Sequence, residues 1–88
     1  MRIEPENLMG VTARLSRVQG QLGGIIRMIE DGRDCAEVVT QLAAAARGID
    51  RAGFKILATG MRQCLTESEA GKDTMTDAEL EKLFLTLA

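Results

Sequence analysis

The chain has 88 residues, 45% of them apolar and only two aromatic, and a net charge of −2. This is the composition of one small globular domain, residues 1–88, and not of a disordered or membrane-spanning chain. With Phe54 and Phe84 as its only aromatics it lacks stacking platforms for single strands or RNA, and with no histidine, no carboxylate dyad and no phosphate loop it does not read as an enzyme.

The charge is unevenly spread. Residues 10–62 carry eight bases and five acids, whereas residues 63–88 carry two bases and six acids. The opening "MRIEPENLMG" contains no apolar signal core, so a cytoplasmic location is expected, with reduced thiols and no permanent disulfide.

In chain order, Leu8, Val11, Leu15, Val18, Leu22, Ile25 and Ile29 alternate steps of three and four, a heptad stripe that predicts a first helix. Pro5 suits its first turn and Gly32 its end. Gly20, Gly23 and Gly24 lie inside it, each costing about 1 kcal/mol relative to Ala, and close approach of a neighbouring helix is the expected reason. Asp34 and Glu37 have capping-box spacing and open a second helix, expected to run unusually far, to about residue 66. "EAGKD" breaks it. Thr76 and Glu79 form another capping box ahead of a short third helix, "LEKLFLTL". No segment reads as a strand, so the expected class is all-α.

The two cysteines, Cys35 and Cys64, lie 29 positions apart. On one helix that is roughly 43 Å, yet both fall within about 20° of the same face. An antiparallel pair of such helices, with a two-fold axis between Ile49 and Asp50, sets Cys35 level with Cys64 of the other chain. The same register sets Ala46 against Gly53 and Leu42 against Leu57. The competing reading makes both cysteines inert, buried small hydrophobes. Cys35, at a helix N-terminus near Arg33, is the expected attacking thiolate, and Cys64 the resolving thiol. The small core and long second helix point to a tetramer.

Arg47, Arg51, Lys55 and Arg62 fall within a sector of about 80° on the same wheel. A hairpin at Gly32 brings Arg14 level with Arg51 and Arg17 level with Arg47. Such a cluster suits phosphate contact; the alternative is an ordinary solvated charged face. Nothing has the pattern of a helix-turn-helix reader or a zinc finger.

The run "RLSRVQGQLGGIIRMIEDGRDCAEVVTQLAAA", Arg14 to Ala45, resembles the CsoR/RcnR/FrmR family of small helical bacterial repressors. It shares that family's R-x-x-R-x-x-G-Q run followed by D/E-x-x-x-C-x-x-V-x-x-Q. The resemblance implies a three-helix protomer, an antiparallel dimer and a disc-shaped dimer of dimers. It also implies binding to double-stranded operator DNA, with release when the thiol site is occupied. Copper-sensing members place a histidine four residues before the second cysteine, where this chain has Gly60, and nickel and cobalt sensors need several histidines. Formaldehyde sensors carry Pro after the initiator Met, where this chain has Arg2. The two-cysteine, histidine-free pattern is similar to the persulfide-responsive CstR branch, which implies persulfide or polysulfide as inducer and a di-, tri- or tetrasulfide bridge. No metal or other cofactor is then needed. Copper(I) held by Cys35 and Cys64 is the alternative, and a structural helical adaptor without DNA binding the second alternative.

Overall fold

The computed structural model describes residues 1–72 and 74–88. It is built of a short 3₁₀ turn, Pro5–Leu8, followed by three α-helices: α1, Met9–Glu30; α2, Cys35–Glu69; and α3, Asp77–Leu87. No strand occurs among the described residues, and no helix is long and apolar enough to cross a membrane.

Local chemistry fixes most of the boundaries. Pro5 occupies the first turn of the 3₁₀ segment, where a missing N–H costs nothing. At the end of α1, Gly32 adopts φ +69°, its N–H donates to Ile29 O at 3.1 Å, and that of Arg33 donates to Met28 O at 2.9 Å. This is a Schellman cap. The same device ends α2: Gly71 has φ +77°, its N–H reaches Ser68 O, and the Lys72 N–H reaches Glu67 O. Gly71 is the first residue able to take that conformation cheaply, and α2 therefore continues past residue 66 to Glu69. Asp34 caps α2 by accepting from the Ala36 N–H at 3.1 Å, and Thr76 caps α3 by accepting from Glu79 N–H at 3.2 Å. Glu37 does not complete a reciprocal box at α2. Its carboxylate pairs with Arg33 at 3.1 Å instead.

α1 and α2 fold back on each other as an antiparallel hairpin. Val11, Val18 and Ile25, seven apart on α1, are buried with Ala45, Ala52 and Thr59, seven apart on α2. Val38 packs onto the Val18, Ile25 and Ala45 cluster. The α1 heptad stripe thus splits. One half closes the hairpin, while Leu15, Leu22 and Ile29 stay exposed.

Close helix approach occurs at Gly48, where an added Cβ would lie 3.0 Å from Val18 Cγ2. Within the chain it does not occur at Gly20, Gly23 or Gly24, where the sequence suggests it. Gly20 faces open space, and Gly23 and Gly24 form a shelf under the side chain of Arg27. α3 lies on the C-terminal half of α2 through an edge-to-face pair, Phe54 and Phe84, with ring centroids 6.2 Å apart. Leu87 rests over Gly53, so closely that a Cβ there would sit 2.8 Å from Leu87 Cδ2.

Candidate sensing thiols and DNA-binding groove

Cys35 is the first residue of α2 and is exposed; Cys64 lies near its far end and is buried, 7% accessible. One unbroken helix separates them by roughly 43 Å, so they cannot meet within a protomer. The Cys64 thiol donates to the Met75 carbonyl at 3.5 Å. One turn earlier, Gly60 is also buried, covered by the N-terminal segment: an added Cβ would lie 3.3 Å from Ile3 Cδ1. The Gln63 amide donates to Arg2 O and pins that segment in place. Arg33, the basic neighbour of Cys35, is engaged with Glu37 in an exposed ion pair, so its charge is already partly answered.

The face shared by the thiols is therefore unlike at its two ends. Cys35, Leu42, Ala46 and Ile49 are open, whereas Leu57, Gly60 and Cys64 are buried by the chain's own N-terminal segment, α3 and the stretch before it. Gly53, expected against Ala46 of a second chain, is instead covered by Leu87.

The basic residues divide as well. Arg14, Arg17, Arg47 and Arg51 together line one groove of about 320 Å³ across the α1–α2 hairpin, floored by Val18, Ala44 and Gly48. No carboxylate lines it, and none of the four arginines makes an ion pair among the described residues. Gln21 completes the rim; it closes the R-x-x-R-x-x-G-Q run, where sequence reasoning gave it no role, and it lies one turn beyond Arg17 on the same face. Lys55 is exposed one turn past Arg51, outside the groove. Arg62 belongs to a separate polar hollow with Asn7, Thr59, Gln63 and Thr66, and donates to Thr59 Oγ1 at 3.4 Å. Among the described residues no three His, Cys, Asp or Glu side chains gather as a metal site.

Residues 9–87 match the family described as metal-sensitive transcriptional repressor. The chain belongs to that family. Such proteins are repressors, not enzymes. The chain is 32% identical over 75 residues to the copper-sensing transcriptional repressor RicR of Mycobacterium tuberculosis, covering 85% of this chain and 78% of that protein. It is 54% identical over 48 residues to the uncharacterized protein YrkD of Bacillus subtilis, covering 53% of this chain and 76% of YrkD. The fold of the chain is similar to that of the nickel-responsive transcriptional regulator InrS, with a TM-score of 0.64, 31% identity, and coverage of 89% of this chain and 81% of that one.

Proposed function

We propose that this repressor binds operator DNA through the arginine groove, and that Cys35 with Cys64 of a second protomer senses sulfane sulfur. The observation that carries the reading is the site's composition. It offers two thiols on one helical face, 29 positions apart, and no histidine anywhere in the chain. Persulfide chemistry needs nothing more. Cys35, exposed at a helix N-terminus, attacks the outer sulfur of a persulfide RSSH and expels RSH, leaving Cys35–S–SH. The Cys64 thiol then attacks Cys35 Sγ and expels H₂S, forming a disulfide between chains. Two thiols are oxidised, and the sulfane sulfur is the oxidant. The antiparallel dimer that brings these sulfurs together, and the tetramer built from it, belong to the same proposal.

Copper(I) is the second reading, favoured by the copper-sensing relatives. Soft thiolates suit it. Cys35 and the second protomer's Cys64 would hold it as a two-sulfur site. The position four residues before Cys64 is Gly60 and supplies no donor.

Polysulfide is expected to produce a dimer band on a non-reducing gel, removed by reductant, and to release the wild type from DNA. Cys64→Ala should block the crosslink while Cys35 still gains sulfur mass. Cys35→Ala should leave Cys64 slow to react, and both variants should stay on DNA. Release by sub-micromolar copper(I) with no response to polysulfide would replace the sulfur reading with the copper one. Failure to bind any operator DNA would leave a helical adaptor.

A further inference from the structure

We infer that Met75, tethered by α3, is a lid over Cys64 that must open before that thiol reacts. The inference rests on the cross-chain pairing proposed above but adds a step to it.

One contact closes the lid on Cys64, and two tether α3 near the middle of α2. The Cys64 thiol donates to Met75 O at 3.5 Å. Phe84 meets Phe54 edge to face. Leu87 covers Gly53 at a distance that leaves no room for a methyl group between them. α3 is otherwise thinly supported: none of its residues is buried, and even Phe84 and Leu87, which make these contacts, stay exposed, as do Leu83 and Leu85. An element held by so few buried contacts is drawn from the low-stability end of the fold and opens locally without global unfolding.

Opening is also what the pairing geometry demands. Cys35 is exposed, and the half-face around it is open, whereas its counterpart Cys64 is 7% accessible beneath its own chain. The two sulfurs form a bond only once the cover is displaced. The Cys64–Met75 hydrogen bond then makes the displacement persistent. When Cys64 Sγ becomes bonded to sulfur, its proton leaves with the expelled H₂S, and the donor to the Met75 carbonyl is gone. The lid cannot re-form the contact that closed it, so chemistry at one sulfur becomes a change in the position of a helix.

Trapping Cys64 with N-ethylmaleimide in the folded protein tests this without any inducer. In a Cys35→Ala background, where Cys64 is the only thiol, alkylation is expected to be slow. Leu87→Ala, added to that background, should speed it by the order of tenfold by weakening the closed state. Gly53→Ala should act the same way by the opposite chemistry, pushing Leu87 off instead of shortening it. Urea unfolding monitored by circular dichroism distinguishes local from global opening: acceleration with an unchanged midpoint supports the lid. Cys64 reacting as fast as Cys35 does in the wild type would overturn it. So would rates unchanged in both variants, or acceleration only in proportion to lost global stability. A rate increase beside a failed polysulfide crosslink would keep the lid and refute the sulfur-sensing reading.

Discussion

A methyl group added at Gly48 and one added at Gly20 should move stability in opposite directions. At Gly48 the new Cβ meets Val18 Cγ2 at 3.0 Å. Val18 is 5% accessible and β-branched, and has little freedom to turn away. Gly48→Ala is therefore expected to cost about 1–3 kcal/mol through overpacking. At Gly20 the Cβ meets nothing, and the helix-propensity gain of about 1 kcal/mol should appear undiminished. Thermal denaturation at one fixed protein concentration reads both, and a stabilising Gly48→Ala would show that the hairpin does not close on that residue. The pair also marks what a sequence conveys at this scale. Caps are local: Asp34 and Thr76 could be recognised because the N–H groups they accept from lie two and three residues away. A glycine that faces a neighbour depends on hairpin register, and the same composition fits Gly48 or Gly20 equally well. Glu37 shows the converse, since a box-like spacing was diverted to Arg33 one turn before it.

Between elements, the arginine groove is the feature with the most direct functional consequence. Hairpin register brings Arg14 and Arg17 of α1 to Arg47 and Arg51 of α2 around one hollow without an acid. This arrangement was legible from the heptad stripe and Gly32, because an antiparallel return fixes which residues stand level. The wheel that included Lys55 and Arg62 was less informative, since a sector on one helix says nothing about where the second helix lies. Four unpaired guanidiniums around a shallow hollow suit backbone phosphates, which supply the salt-dependent part of DNA affinity. Arg14→Ala and Arg51→Ala are each expected to weaken operator binding and to lower the slope of log K against log salt by about 0.9 per lost phosphate contact. In a tetramer the loss multiplies by the number of protomers touching DNA. Arg62→Ala, in the separate hollow with Thr59, should leave the slope unchanged. Equal slopes for wild type, Arg14→Ala and Arg51→Ala, read by fluorescence anisotropy across a salt series, would remove the groove from the DNA interface.

At the scale of the whole molecule the chain is extended for its mass. Its accessible surface is 6624 Å², whereas a folded monomer of 9.5 kDa exposes roughly 5,000 Å². Its radius of gyration is 17.1 Å, against about 12 Å for a compact chain of this length. Large apolar side chains are exposed along the hairpin: Leu15, Leu22, Ile26 and Ile29 on α1, and Val39, Leu42 and Ile49 on α2. On a chain this short, such a face is more than a soluble monomer ordinarily leaves in water. The half-stripe Leu15, Leu22 and Ile29 is the part of the heptad that the hairpin did not use, and a second copy of the same stripe is its natural cover. Three helices, their order and the caps that open α2 and α3 could be read from the sequence, whereas α2 runs on past residue 66 to Glu69 and Pro5 opens a 3₁₀ turn ahead of α1. The splitting of the stripe into an inner and an outer half could not, because periodicity reports that a face is apolar and not what covers it. Assembly is therefore expected to supply much of the stability, and the melting temperature should rise with protein concentration, as mass action requires when folding and association are linked. Light scattering at micromolar concentration should report four times the 9.5 kDa chain mass. Replacing Leu22 and Ile29 together by Glu should abolish that mass and, with it, the polysulfide crosslink, because the thiols of one protomer have no partner within reach. A 9.5 kDa particle from the unmodified chain, with a melting temperature independent of concentration, would defeat both the assembly and the cross-chain sensor.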